Sequence, residues 1–430
     1  RNGYRVENVV FQSSPGFYVT GNLYLPAQRP QGGAPVVVYV CGHSPSPLGA
    51  KIAYQHHALW FVKHGFAAFV LDTIEFAEIA SFHHGTHDLE WWHWLSLGYN
   101  PAAVEVWNAM RALDYLETRP EVDASKASIT GRSGGGAVSW FAAAADDRFK
   151  VASPVHGTWA IAPHIRDFTV RENCDCIYVW NSELLDLPSI GALIAPRPLL
   201  IVNGRRDPCF PPAGYNEVER RLREVYRWYG AEDKLANFEA DTGHEDTPAY
   251  REAANLWISQ WIAGSRPAYS EADIVREPDP SVLRVLSAIP KEARNEGIDR
   301  TFIPAAEVPR IENLAQWKRR SSSLRETLSS RMLRGLAPRQ APFSTRKTTI
   351  RSWCERYADG WDVQFDTEPG LTVHGQLFLP RSSARAHPAL IYLKGANDLV
   401  YRVDYDDILS IFPEHIILVL RPRAVDYGMT

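Results

Sequence analysis

The chain predicts an α/β fold, a mostly parallel sheet covered by helices on both faces, with the start of a second, related domain behind it. Three observations carry this expectation. From about Tyr4 to Ala263, short apolar runs alternate with stretches of helical period. A Gly-Arg-Ser-Gly-Gly segment, 131–135, joins one apolar run directly to a helical one. Hydrophobic residues make up 45% of the 430 residues and charged ones 22%, which provides ample core for a chain of two or three domains.

The elements follow in order. Tyr4–Gln12 and Phe17–Leu25 read as a leading pair of strands around the turn at Ser13-Ser-Pro-Gly16. Val36–Val40 reads as a buried strand, followed by a loop over Cys41–Leu48 and a helix near Tyr54–His64. Ala67–Leu71 is the next strand. An insertion over Thr73–Asn100 leads to a helix at Pro101–Glu117, whose proline suits a first turn. Ala127–Thr130, Val151–Val155 and Leu199–Val202 supply three more strands, and Asn237–Ala240 the last before a closing helix at Thr247–Ile262.

Beyond Pro267 strand signals thin out, prolines recur, and a polar helical stretch runs from Ile311 to Leu333. Its basic residues, Lys318-Arg-Arg320 and Arg331, read as a solvated helix face. Then the chain repeats itself. Val19-Thr-Gly-Asn-Leu-Tyr-Leu-Pro26 is answered by Val373-His-Gly-Gln-Leu-Phe-Leu-Pro380, and Pro35–Gly42 by Pro388–Gly395. Phe69–Asp72 has its counterpart in Leu418–Arg421. The expected organisation is a catalytic domain over 1–265, a connector over 266–345 and the start of a second copy over 346–430. An open sheet edge at that point is costly, so a further chain segment or a partner is expected to cover it.

Composition narrows the partners. A net charge of -4 gives no reason to expect nucleic acid or an anionic membrane. No apolar run approaches the ~18 residues that span a bilayer. Arg1 is neither an initiator Met nor the start of a signal-peptide pattern, so a processed or trimmed form is expected. Five cysteines in so long a chain do not read as a disulfide framework.

The chemistry centres on Ser133. A strand turning sharply into a helix holds its turn residue in a strained backbone, which small neighbours such as Gly131 and Gly135 accommodate. That is a nucleophile elbow, and it predicts the α/β-hydrolase fold. A serine hydroxyl needs a base oriented by a carboxylate. Asp207 follows the strand Leu199–Val202 and His244 follows Asn237–Ala240, so both fall on loops at carboxyl ends of strands, in the chain order Ser, Asp, His. Ser133, Asp207 and His244 are the expected triad. The amides of Gly134 and His43 are the expected oxyanion donors.

The insertion carries His83-His84-Gly-Thr-His87 and Trp91-Trp-His-Trp94. A serine triad needs no metal, and no partner at ligand spacing surrounds His43, so no metal or other cofactor is expected. Trp91, Trp92 and Trp94 read either as lid core or as flat platforms for sugar rings, and Trp159 and Trp180 are further candidates. Arg132 or Arg206 could meet a uronate carboxylate. Cys174-Asp-Cys176 lacks the remaining ligands of a zinc site and reads as structural.

Together, Gly131–Gly136, Arg111–Asp123 and Ala195–Asn203 leading to Asp207 resemble the acetyl xylan esterase-like α/β-hydrolases, over about Tyr4 to Ile262. The chain is also similar to dienelactone hydrolases and to the catalytic domain of prolyl oligopeptidases, although no propeller-like repeat precedes it. The resemblance implies a secreted or periplasmic carbohydrate esterase acting on polysaccharide esters. A methyl or glucuronoyl esterase and a carbohydrate-binding pseudo-hydrolase are the competing readings. In the second copy Lys394 and Ala396 stand where the first has Cys41 and His43, so its catalytic competence is in question.

Overall fold

The computed structural model describes residues 3–28, 30–177, 181, 183, 185–274, 276, 279–333, 345–350, 357–368, 371–382, 384–393, 408 and 410–420. The chain forms two compact units, Arg1–Glu312 and Asn313–Thr430. Their boundary falls inside the stretch expected as a connector.

The first unit holds an eight-stranded sheet. Its strands are β1 (Tyr4–Ser14), β2 (Phe17–Pro26), β3 (Ala34–Val40), β4 (Ala67–Leu71), β5 (Val122–Arg132), β6 (Phe149–Val155), β7 (Leu199–Gly204) and β8 (Leu235–Ala240). They lie in the order β1-β2-β4-β3-β5-β6-β7-β8. β1 pairs antiparallel with β2 and β2 with β4, and every pairing from β4 through β8 is parallel.

The sheet is buried on both faces because its central strands are apolar on both. On β3, Val36, Val38 and Val40 join one core, whereas Val37 and Tyr39 join the other. Helices Pro101–Glu117, Gly134–Ala145 and Pro212–Trp228 cover the first face, and His56–Lys63 with Pro248–Ala263 cover the second. Asn100 caps the Pro101 helix by accepting from the Ala103 amide at 3.3 Å, and Gly264 ends the last helix at φ 68°. The helix at Pro212–Trp228 buries Tyr215, Val218, Leu222 and Tyr226 along one stripe and carries its arginines and glutamates outside.

β5 differs from its expected extent. It begins at Val122, and its register with β3 jumps from Pro35↔Asp123 to Val36↔Ala127. Ala124, Ser125 and Lys126 between them bulge out of the ladder, which hides the strand's start from a pattern of apolar runs.

Residues 266–312 lie with the first unit. Asn8 donates to the carbonyls of Val282 (3.0 Å) and Arg284 (2.9 Å), and Asn22 to that of Leu283 at 3.0 Å. Asn295 exchanges hydrogen bonds with the backbone of Tyr18. Deeper in, the wholly buried Lys51 ammonium meets Asp72 and Glu78, each at 2.7 Å, and Glu78 accepts from the amides of Val285 and Leu286. Buried Leu283, Leu286 and Ile298 add apolar contacts, so this strap is held to the domain by both polar bonds and packing.

The second unit contains a helix at Leu314–Thr327 and a five-stranded sheet. Its strands are β9 (Thr345–Ile350), β10 (Tyr357–Glu368), β11 (Leu371–Pro380), β12 (Ala389–Leu393) and β13 (Ile416–Leu420), in the order β12-β13-β11-β10-β9. Four of them reproduce the arrangement of β1 to β4. β10 and β11 form an antiparallel pair, β11 meets β13 antiparallel, and β12 joins β13 parallel. The register repeats as well: Gly21↔Leu71 and Val38↔Phe69 in the first unit correspond to Gly375↔Leu420 and Ile391↔Leu418 in the second. The loop holding Lys394 and Ala396, and Arg421, lie outside the described residues.

Candidate active site

Ser133 directly follows β5 and opens the helix Gly134–Ala145 with φ 61° and ψ −122°. A non-glycine residue at positive φ costs roughly 1–3 kcal/mol, so surrounding contacts must impose the conformation. They do. The Ser133 amide donates to Val155 O on β6 at 2.9 Å, and its carbonyl accepts from Ala137 at 3.0 Å to start the helix. The glycines make the turn sterically possible. A Cβ on Gly131 or Gly135 would run into the Val40 carbonyl, and one on Gly136 into the Val155 carbonyl.

Asp207 and His244 stand on adjacent loops after β7 and β8, tied by Arg205 N to Ala240 O and Arg206 N to Thr242 O, both 2.9 Å. His244 Nε2 lies 2.8 Å from Ser133 Oγ, and its Nδ1 lies 2.7 Å from Asp207 Oδ2. A carboxylate only accepts, so Nδ1 carries the proton and Nε2 is left as an acceptor facing the serine hydroxyl. Arg132 donates to the His244 carbonyl at 2.9 Å. Its guanidinium braces the loop that carries His244, a contact additional to the substrate role expected of it.

A second histidine shares the carboxylate. His156, just past β6 at φ 50°, places Nδ1 2.6 Å from the same Asp207 Oδ2. Asp207 Oδ1 accepts from the amides of Cys209 (2.8 Å) and Phe210 (3.3 Å). Burial alone would raise the Asp207 carboxyl, but His156 and His244 hold it well below the usual carboxylate range. Burial lowers His156, keeping it a neutral donor. Sequence reasoning passed over His156. Its one available signal was its position at the carboxyl end of a parallel strand.

On the other side of Ser133, the 41–48 loop crosses the elbow: a Cβ on Gly42 would lie 3.3 Å from Ser133 Cβ. The His43 ring reaches the edge of Gly134, where a Cβ would come within 3.3 Å of its Nε2 and 3.0 Å of Cys176 Sγ. His43 Nε2 lies 2.9 Å from His83 Nε2, 3.6 Å from Cys174 Sγ and 3.5 Å from Cys176 Sγ. Partners at ligand spacing, missing along the chain, are thus assembled in space from three separate segments. Burial pulls His83 down, yet Glu105 and Cys174 outweigh it and push it up to about 10. His84 likewise rises to about 9 against its burial, through Cys174 and Glu75. The field of this cluster favours positive charge.

The tryptophans separate. Trp94 is 1% exposed, packs edge-on to Tyr99 and donates to Asp299 at 3.1 Å. It is a core residue, which corrects the expectation of a sugar platform there: a wide apolar indole with a satisfied N–H is more stable inside. Trp91 is half-buried against Phe82 and Trp94, and Trp92 is 61% exposed. Trp159 is buried and lines an apolar cavity of about 290 Å³ with Phe141, Ile161, His164 and Leu187. It also contacts Phe210, which stacks on the His244 ring. Trp180 lies outside the described residues.

The fold resembles that of a known structure. "Methylesterase BT1017" superposes with a TM-score of 0.53 at 18% identity, over 75% of this chain and 68% of that one. The fold is that of an α/β-hydrolase. The model of the prolyl oligopeptidase family matches residues 83–254 of this hydrolase-fold chain, a stretch that includes all three residues of the Ser133 constellation. YtaP of Bacillus subtilis (strain 168), whose name assigns it provisionally to the hydrolases, is 29% identical over 160 residues, or 36% of this chain. The match covers 53% of YtaP, so the chain spans about half the length of that curated relative. A family 15 glucuronoyl esterase from Caldicellulosiruptor kristjansonii is similar at 18% identity with a TM-score of 0.43, covering 68% of this chain and 85% of that one.

Proposed function

We propose that the first unit is a serine esterase that removes acetyl or related ester groups from a polysaccharide. The observation carrying this reading is the relay Ser133 Oγ–His244 Nε2 at 2.8 Å and His244 Nδ1–Asp207 Oδ2 at 2.7 Å, on an elbow of strained backbone. In this reading Ser133 attacks the ester carbonyl while His244 takes its proton. Asp207 keeps the imidazole in the Nδ1–H tautomer and stabilises the imidazolium. The Gly134 amide at the helix start, with the His43 amide from the crossing loop, receives the oxyanion. His244 then protonates the leaving alcohol, and a water activated by the same imidazole releases the acid.

The acetyl reading is preferred to methyl or glucuronoyl ester hydrolysis because each arginine considered for a uronate already donates to the protein, although the buried Arg132 Nε has no protein partner. Arg132 is held by the His244 carbonyl, and the exposed Arg206 by Asp241. The exposed Trp92 and half-buried Trp91, on the insertion that also brings His83 beside the elbow, support a carbohydrate surface near the site. A retired, purely binding domain would have no need to keep the strained elbow and the relay together. Residues 346–430 are read as the opening of a second hydrolase-like domain, on the repeated strand order and register.

The test is product release. The purified protein is expected to liberate acetate from acetylated xylan well in excess of methanol from methyl-esterified pectin. Ser133→Ala should lower the rate at least ~10³-fold, and a fluorophosphonate should label Ser133. Methanol as the dominant product would shift the substrate class, and retained hydrolysis in Ser133→Ala would sink the serine mechanism.

A further inference from the structure

A cluster beside the elbow is built like a metal centre, and its argument holds whether or not Ser133 is the nucleophile. His43, His83, His84 and Cys174 each offer one ligand atom, all within 4.8 Å of one another. Around a tetrahedral zinc ion, Zn–N bonds of ~2.0–2.1 Å and Zn–S bonds of ~2.3 Å place N···N edges near ~3.3 Å and N···S edges near ~3.6 Å. The measured N···S edges are 3.4 Å from His83 and 3.6 Å from His43, and the His43–His83 N···N edge is 2.9 Å.

A second, independent feature lies behind the ligands. His83 Nδ1 is 2.9 Å from Glu105 Oε1 and His84 Nδ1 is 3.0 Å from Glu75 Oε2. Glu75 shares a hydrogen bond with His84 Nδ1 and Glu105 lies against His83 Nδ1 at ion-pair distance, which leaves Nε2 of each ring for the shared centre. A carboxylate holding the far nitrogen of a ligating imidazole is the usual support of a metal histidine. Two imidazole nitrogens facing each other at 2.9 Å beside a sulfur need a proton or a metal cation between them. Glu105 is 5% exposed and His83 fully buried, so water does not serve that need from outside.

We infer that His43, His83, His84 and Cys174 bind one zinc-class divalent ion, with Cys176 Sγ adjacent at 2.9 Å from Cys174 Sγ. Four protein ligands close the coordination sphere, which assigns the ion a structural role. It pins the 41–48 loop, the 73–100 insertion and the 174–176 turn against Gly134. The proposed oxyanion loop is then held in place by a bond network that no local sequence propensity supplies.

The test begins with the full chain purified without chelator, then loaded with zinc and dialysed. Elemental analysis is expected to find about one zinc per chain, falling at least ~10-fold in Cys174→Ser and His84→Ala. Cobalt substitution of the wild type should produce thiolate-to-cobalt charge-transfer absorption and intense tetrahedral d–d bands, a readout that does not depend on any variant folding. Phenanthroline should lower the melting temperature of the wild type. A wild type that retains less than a tenth of an equivalent after loading would overturn the proposal. So would full retention in a folded Cys174→Ser, or a Cys174–Cys176 disulfide in the unreduced protein by mass spectrometry.

Discussion

His156 and Asp207 are joined at 2.6 Å through the same carboxylate oxygen that orients His244. The carboxylate therefore divides its charge between two imidazoles, one facing the serine and one buried behind it. Removing the buried donor leaves the full basicity of Asp207 to His244. His156→Phe is expected to raise the acidic limb of the kcat/KM pH profile and to cost about 1–3 kcal/mol of stability, from the unpaired buried acceptor. His156→Gln, which can still donate, should restore much of both. An unmoved pH profile in a folded His156→Phe would show the second histidine to be mere packing.

Asp207→Asn should leave the fold intact and lower kcat by roughly 10³-fold or more, because an amide can donate to Nδ1 and stabilise the wrong tautomer. Steady-state hydrolysis of an activated acetyl ester reads this directly. A loss below tenfold would place the orienting group elsewhere.

Gly131→Ala and Gly135→Ala each drive a methyl into the Val40 carbonyl. Backbone cannot yield as a side-chain tip can, so each should destabilise by about 2–3 kcal/mol, at the upper end of overpacking costs. Urea unfolding of the purified variants measures it. Gly230→Ala, at an open helix-end position with φ 62°, should cost no more than about 1 kcal/mol.

Lys51→Met leaves Asp72 and Glu78 buried without their shared cation. Burial already raises the Asp72 carboxyl against the pull of Lys51. The expected loss is about 3–5 kcal/mol. Increased proteolysis within 279–302 should accompany it, since Glu78 also holds the amides of Val285 and Leu286.

The buried, lowered histidines should cost stability on mild acidification, against an opposite contribution above pH ~6.5 from the raised His83 and His84. Burial lowers His164 to about 4 and His57 to about 3. The unfolded chain, with histidines near ~6.5, binds more protons between those values, so stability rises with pH across the window and is lost as pH falls from ~6.5 toward 4. For His164 burial is the cause, and the neutral ring also accepts from Asn173 Nδ2 at 2.8 Å, which a protonated ring could not. Melting temperatures at pH 7.5 and 5 should differ by several degrees, and His164→Gln should narrow the gap. An identical gap in the variant would remove His164 from the account.

Much of this was legible in the residues themselves. Period and turn chemistry are local, so the strand at Ala67–Leu71 and the helix at Pro101–Glu117 could be placed to the residue from the order of apolar and capping side chains. The elbow around Ser133, and Asp207 and His244 behind their strands, were visible because a parallel sheet gathers loops at one end. The repeat of β1 to β4 in β10 to β13 could be read from Gly, Pro and Tyr in register.

Other features exist only in three dimensions. Trp94 could not be told from a surface indole until Asp299, far along the chain, was seen to satisfy its N–H. Arg132 became a brace when the His244 carbonyl closed on it. His156 joined Asp207, and His43, His83, His84 and Cys174 converged, because the fold brings distant loops within bonding distance. Local order along the chain determined the elements and the loops that carry the chemistry. Which side chains share one carboxylate or one cation was decided by long-range packing, since hydrogen bonds and ligand geometry depend on distance in space and carry no signature in sequence spacing.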